Sequence, residues 1–138
     1  MIDLKSLTPD ILNENFSFLE SWEDKYRYLI ELGEALPPFD INMRTSQNRV
    51  DGCMSQVWMM HKKSTENRHL FFMDSDAHIV RGLQAILWIH INNKTTQEIM
   101  ACDLNSIFDR LDLGSHISGT RRNGFAAMIE RIKKEILL

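Results

Sequence analysis

The stretch DSDAHIVRGLQAILWIHI, residues 74–91, decides the architecture of this chain. From residue 77 to residue 90 it carries few charges and many large apolar side chains, which predicts a helix buried on most of its surface. The aspartates and the serine in front of it are residue types that commonly cap helices. Because so apolar a helix must be covered, we expect it to lie against one face of a small sheet.

The strands of that sheet are predicted directly before the helix. Residues 49–50, 56–62 and 69–73 are each expected to be extended, with a hairpin turn at residues 64–67. The middle segment alternates in the way that a strand with two different faces requires. Val57, Met59 and His61 fall on one face, and Trp58, Met60 and Lys62 fall on the other.

Helices are predicted on both sides of these strands. Ser21 is placed to cap a helix over residues 22–36, which Pro37 and Pro38 end. Further helices are expected over residues 96–101, 104–111 and 122–136, the last with Phe125, Met128, Ile129 and Ile132 facing inward. The predicted fold class is therefore α+β, a small antiparallel sheet of about three strands packed against several helices.

Composition limits the class of protein. With 138 residues, 43% of them hydrophobic, and no internal repeat, the chain is expected to form one domain over residues 1–138. The net charge of -3 argues against a nucleic-acid surface. No secretory signal is visible, and the longest apolar run, residues 85–91, is far shorter than a membrane span. We therefore expect a cytoplasmic protein without membrane partners.

The two cysteines and five histidines suggest neither a disulfide nor a metal site. A structural disulfide is improbable in a reducing compartment. The histidines are scattered without the spacing of a ligand cluster, so all five are interpreted as isolated surface residues and no metal is expected. Cys102 is interpreted as a small buried hydrophobic residue.

Cys53 lies in a different setting, the segment VDGCMSQVWMM at residues 50–60. Gly52 permits a tight turn and lets a partner approach the sulfur. A free thiol has a pKa of about 8.5, which Asp51 should raise and Arg49 could offset. No histidine can be assigned as its base from spacing. The residues alone therefore leave open whether Cys53 is inert or is activated elsewhere, for instance inside a partner's active site.

Four blocks of the chain resemble one family. VDGCMSQVW, residues 50–58, closely resembles the active-cysteine motif of the SufE-like sulfur acceptors, the family of SufE and CsdE. YRYLIELGEALPP, residues 26–38, resembles the helix that leads to the family's Leu-Pro turn. DSDAHIVRGLQAIL, residues 74–87, and RRNGFAAMIERI, residues 121–132, resemble its later helices. The blocks occur in the family's order and cover nearly the whole chain.

The resemblance implies a SufE/IscU-like fold and a sulfur relay rather than a stand-alone enzyme. It makes Cys53 the acceptor of a persulfide sulfur from a cysteine desulfurase, SufS-like or CsdA-like, which the acceptor stimulates. The pyridoxal phosphate (PLP) would belong to that partner, so no cofactor is expected here. The sulfur would pass to a scaffold for iron-sulfur cluster assembly or to another acceptor.

The resemblance also marks other residues. Asp51, Gly52 and Gln56 belong to the cysteine motif, and Gln56 is expected to shape the strand that anchors the loop. Asp74 matches an acidic residue of the family, although capping of the apolar helix alone would explain an aspartate there. Arg121 matches an arginine near the cysteine or the partner surface, with an exposed charge as the alternative.

One block departs from the family pattern. Gly119 and Thr120 stand where the family commonly has a proline and a serine, which is expected to loosen the start of the last helix.

Two other functions are the alternatives to a sulfur acceptor. An iron-sulfur scaffold would need more ligands than two cysteines supply. A thiol redox protein would need an activating base or a resolving cysteine, and neither is apparent.

Overall fold

The computed structural model describes residues 2–138, and these form an α+β fold, which confirms the predicted class. Short 3-10 turns lie at Leu4–Ser6, Ile41–Met43 and Leu104–Ser106. The strands are β1 (Val57–Lys63), β2 (Arg68–Ser75) and β3 (Lys94–Thr95). The helices are α1 (Pro9–Ser17), α2 (Trp22–Glu34), α3 (His78–Ile91), α4 (Thr96–Ala101), α5 (Ile107–Arg110) and α6 (Gly119–Ile136). None of the helices in this described part is long and apolar enough to cross a membrane.

Helix α3 forms the centre of the core, as its composition predicts. Twelve of its 14 residues are buried, and it packs against both α2 and β2. The contact with α2 depends on two glycines, because a Cβ built on Gly82 would lie 2.3 Å from the carbonyl oxygen of Leu29. A Cβ on Gly33 would lie 2.7 Å from the backbone nitrogen of Gly82. The two backbones can therefore approach only where both side chains are missing.

The sheet is antiparallel, in the order β1-β2-β3. Its register pairs Val57 with Ser75 at one end and Lys63 with His69 at the other. Residues 49–50, which were expected to be extended, form only an isolated antiparallel bridge between Arg49 and Trp58 and are not one of the three strands. The third strand is β3 instead. It is two residues long and pairs with the start of β2, so its sequence is too short to show a strand period.

The predicted capping of α3 by the Asp-Ser-Asp segment is also wrong. Asp74 and Ser75 are the last two residues of β2, and the helix begins at His78 after Ala77, whose side chain makes no capping hydrogen bond. The hydroxyl of Ser75 accepts a hydrogen bond from the backbone of Ala77, 3.2 Å away. Strand pairing thus extends two residues beyond the predicted end, and Asp74 belongs to the sheet.

The other helix boundaries are close to those predicted. Ser21 caps α2 by accepting a hydrogen bond from the backbone of Asp24, as expected. Helix α6 begins three residues earlier than predicted, because Ser118 caps it by accepting from the backbone of Arg121 at 3.3 Å. The four residues predicted to face inward from α6 are buried. Helix α1 was not predicted, although Thr8 and Pro9 form a regular start for it.

Candidate functional site

Cys53 lies in the loop that enters β1. Hydrogen bonds from the backbone of Val50 to Val57 and from Met59 to Asn48, both 2.8 Å, close the stem of this loop. At its tip Gly52 has a φ of +88°, a backbone conformation that residues with a side chain rarely adopt. Gly52 and Asp51 are both exposed. The loop therefore makes the tight turn that the sequence predicts for it.

Gln56 holds the far side of the stem through its backbone. Its N–H donates to the carboxylate of Asp76 at 3.0 Å, and its carbonyl oxygen accepts from the hydroxyl of Ser75 at 2.7 Å. The backbone N–H of Asp76 donates to the same carbonyl oxygen at 3.2 Å. Asp76 was not selected from the sequence, where it was grouped with Asp74 as a helix cap. Its structural role is to anchor the loop to the end of β2.

The thiol of Cys53 points inward against α6. Its Sγ lies 3.7 Å from the carbonyl oxygen of Gly124, and the thiol can donate a long hydrogen bond to it. A Cβ at position 124 would lie 3.5 Å from the same sulfur. Gly124 was not identified as a site residue from the sequence, since a glycine inside a helix shows no chemistry of its own. The position of the Cys53 sulfur against Gly124 is called the seat below.

A small cavity lies beside this seat. Its volume is about 20 Å³. That is about the space that one water molecule needs. The lining beyond the loop is mainly apolar and includes Val57, Val80, Leu83, Phe125 and Met128. An atom bound to Cys53 could therefore be held away from bulk water.

The electrostatic setting keeps the resting thiol protonated. Burial is the main cause that raises the pKa of Cys53 above its ordinary value. The negative charge of Asp51 raises this pKa further, and the positive charge of Arg49 lowers it. Since the thiolate is the nucleophile, Cys53 is poorly reactive in this position.

Arg121 lines the cavity from the first turn of α6. Its guanidinium donates a hydrogen bond to the hydroxyl of Tyr26 at 3.3 Å, which links α6 to α2. Gly119 and Thr120, the departures from the family pattern, both lie inside α6, so the helix entry is regular. Cys53 and Arg121 thus line the same cavity.

Asp74 is not among the residues that line this cavity and lies between charged side chains. It is 7% exposed and pairs with the guanidinium of Arg44 at 2.7 Å, with Arg81 at 3.9 Å. Its backbone carbonyl oxygen accepts from the side-chain amide of Gln84 at 2.8 Å. The capping role does not fit this arrangement. Asp74 connects the segment before the cysteine loop to the sheet.

The interpretation of all five histidines as surface residues is wrong for three of them. His69 and His90 are buried, and the side chain of His61 is only 10% exposed. His61 Nε2 and His69 Nδ1 lie 2.6 Å apart, and His69 Nε2 lies 2.6 Å from the hydroxyl of Thr96. Burial lowers the pKa of each of the three histidines. A histidine pair that is adjacent only across strands leaves no spacing signal in the sequence.

Cys102 is half-buried against the core at the end of α4, and it lines a different cavity from that of Cys53. Burial raises the pKa of its thiol as well. Within residues 2–138, no three side chains of His, Cys, Asp or Glu are grouped so as to hold a metal ion.

Comparison with known proteins shows which family this chain resembles. The model of the SufE family, described as an Fe-S metabolism associated domain, matches residues 10–136. An uncharacterized SufE-like protein of Rhizobium etli is 46% identical over 129 residues, covering 91% of this chain and 87% of that protein. An uncharacterized SufE-like protein of Rhizobium meliloti is also 46% identical over 129 residues, covering 91% and 92%.

A solved structure shows the same fold. The solution structure of a hypothetical protein from Thermus thermophilus matches with a TM-score of 0.75 and covers 99% of this chain and 96% of that one. Its sequence identity is 15%, so the likeness concerns the fold alone.

Proposed function

Because this chain belongs to the SufE family of Fe-S metabolism associated domains, we propose that it is a sulfur acceptor that carries a persulfide on Cys53. The observation that supports this most is the position of Cys53. Its sulfur lies in an apolar seat with room for about one more atom, at the tip of a glycine-containing loop. Such a position suits a group that must be protected between two encounters.

The transfer needs no oxidant. The Cys53 thiolate attacks the outer sulfur of a persulfide on a PLP-dependent cysteine desulfurase. A sulfur-sulfur bond forms to Cys53 while the persulfide bond of the desulfurase breaks, and the desulfurase cysteine leaves as a thiolate. The proton lost by the Cys53 thiol balances the one that the leaving thiolate takes up. The sulfane sulfur keeps its oxidation state, so the products are Cys53 persulfide and a free desulfurase thiol.

The loop has to move for this reaction to occur. In its seat the half-buried Cys53 thiol has a raised pKa and faces the Gly124 carbonyl oxygen, so it is mostly protonated and turned away from a second protein. Movement of the loop into the desulfurase would remove the burial that raises the pKa. Return of the loop would place the new sulfur beside the small cavity. The partner thus supplies the activation, together with its PLP.

Turnover requires a second partner that accepts the sulfur. We propose a cluster-assembly scaffold or another sulfur acceptor for that step, and stimulation of the desulfurase follows from removal of its persulfide. Both cysteines are free thiols in the structure, which suits the reducing cytoplasm that we propose as the compartment. The chain would then act as an accessory protein of Fe-S metabolism rather than as an enzyme by itself.

Intact-mass measurement tests the proposal. The protein is mixed with a cysteine desulfurase and cysteine, and we expect the mass to increase by one or more sulfur atoms that a reductant removes. Cys53→Ser should abolish the increase, and the matched variant Cys102→Ser should retain it. Sulfur on Cys102 instead, or no stimulation of the desulfurase, would show that the proposed function is wrong.

A further inference from the structure

Arg131, on α6, joins that helix to the segment just before the cysteine loop. Its Nη1 donates to the carbonyl oxygen of Arg49 at 3.0 Å, and its Nη2 donates to that of Gln47 at 2.7 Å. Its Nε donates to the carboxylate of Glu135, one helical turn further on, at 2.9 Å. The side chain is only 22% exposed. Three donors of one planar group are thus fixed, which leaves the guanidinium little freedom.

The loop tip itself is held much less. Within the described part of the chain, the backbone of residues 51–55 makes no hydrogen bond to any helix or strand. The tip lies against α6, because Cys53 Sγ is 3.7 Å from the carbonyl oxygen of Gly124 and a Cβ built on Gly52 would be 3.3 Å from the Cβ of Ala127. Both of these contacts lie on α6, the helix that carries Arg131. The position of the tip therefore depends on the hydrogen bonds that join the stem to β1 and on how firmly the segment before the loop is held against α6.

We propose that Arg131 is a positioning residue that holds Cys53 in its protected seat by fixing the loop stem to α6. The inference rests on the proposed function, since it explains how that function is controlled. With Arg131 in place, opening is confined to the tip, and the carbonyl oxygens of Gln47 and Arg49 stay where they are. Without it, the segment before the loop can separate from α6 and expose the thiol. The sequence alone gives Arg131 no role, because its partners are backbone atoms 82 and 84 residues away.

Alkylation of the resting protein by iodoacetamide tests this without any sulfur transfer. The rates at Cys53 and Cys102 are measured in the same molecule by peptide mass spectrometry, for Arg131→Gln, Arg131→Lys and the wild type. Lys134→Gln is the matched control, since it removes the same charge from an exposed position on the same helix. We expect Arg131→Gln to raise the Cys53 rate about tenfold, the equivalent of one charge-assisted hydrogen bond. Arg131→Lys should lie between Arg131→Gln and the wild type, and Lys134→Gln should match the wild type.

The alkylation rate at Cys102 distinguishes a positioning role of Arg131 from a general loss of stability. A global loss of structure would raise the rates at both cysteines together, and this outcome would overturn the proposal, as would an unchanged Cys53 rate in Arg131→Gln. A rise of the alkylation rate at Cys53 alone supports the proposal.

The same proteins are then loaded with sulfur by a desulfurase. If the wild type takes up no sulfur on Cys53, the proposed function fails whatever the alkylation rates show, so the two failures are distinguishable.

Discussion

Gly124 lies directly under the sulfur of Cys53, and a Cβ at that position would be 3.5 Å from Sγ. That distance is an ordinary van der Waals contact, so the seat has room for a methyl group but for little more. Since the cavity beside it measures about 20 Å³, a larger side chain would compete with the sulfur for the same space. Position 124 thus sets how deeply Cys53 can be buried.

Two substitutions of Gly124 should affect the stability of the protein and the protection of the Cys53 thiol differently. Gly124→Ala should leave Cys53 seated and stabilise the protein by about 0.5 to 1 kcal/mol, because alanine favours the helix. Gly124→Leu should displace the loop and raise the alkylation rate of Cys53 above that of the wild type. Urea denaturation and alkylation measure the two effects. A Leu variant that protects Cys53 as well as the wild type does would contradict the described seat.

The charges beside Cys53 should tune its ionisation in opposite directions. Asp51→Asn removes a charge that raises the pKa of the thiol, and Arg49→Gln removes one that lowers it. At pH 7 to 8, below the raised pKa, the first variant should react faster with iodoacetamide and the second more slowly. The pH profile of the alkylation rate checks this, since its midpoint should move down for Asp51→Asn and up for Arg49→Gln. Identical profiles would exclude both charges as influences on the thiol.

The sequence predicts those parts of the fold that short-range sequence patterns determine. The apolar period of α3, the alternation in β1 and the capping serine of α2 are short-range patterns, and each was located within one or two residues. The third strand was misplaced, because β3 is defined only by its pairing with β2. Burial of His69 likewise depends on a partner in another strand. Tertiary pairing of this kind leaves no periodic signal in the chain.

The residues of the candidate site likewise fall into two groups, those that a local motif identifies and those that only long-range contacts identify. Cys53 and Gly52 can be selected from one motif, because their chemistry and conformation are local properties. Gly124 and Arg131 act through atoms more than 70 residues away in the chain, and Asp76 acts through a backbone N–H. Cys53 and Gly52 remain predictions as functional residues, as do Asp51, Gln56, Asp74 and Arg121. The geometry assigns only their contacts.

Asp74 provides a test of a structural role against a functional one. It is buried between two arginines, so Asp74→Ala leaves Arg44 and Arg81 without their shared carboxylate. We expect a loss of about 1 to 3 kcal/mol, less than for a fully buried pair because both arginines are partly exposed. The alkylation rate of Cys53 in the folded variant should stay near that of the wild type.

Urea denaturation measures the loss, and Asp109→Ala, which removes an exposed carboxylate from α5, is the control. If Asp74→Ala keeps full stability but loses stimulation of a desulfurase, the residue faces the partner rather than supports the fold.

The pair His61 and His69 should make the stability of this protein sensitive to mild acid. Burial lowers the pKa of both side chains in the folded protein below the value of about 6.5 expected in the unfolded chain. More than about one pH unit above 6.5 neither state binds these protons, so stability is independent of them there. As the pH falls below 6.5, the unfolded chain takes up protons first, and the free energy of unfolding decreases. The slope is up to about 1.4 kcal/mol per pH unit for each proton.

The variant His69→Gln should reduce this slope between pH 6.5 and 5 and should itself be less stable at pH 8. The lower stability follows from the loss of the 2.6 Å contacts with His61 and Thr96. The two stability curves should therefore approach each other as the solution becomes more acidic. Urea denaturation at several pH values gives the curves, and His78→Gln, at an exposed position at the start of α3, serves as the control. Parallel curves for wild type and His69→Gln would show that the buried pair does not cause the acid sensitivity.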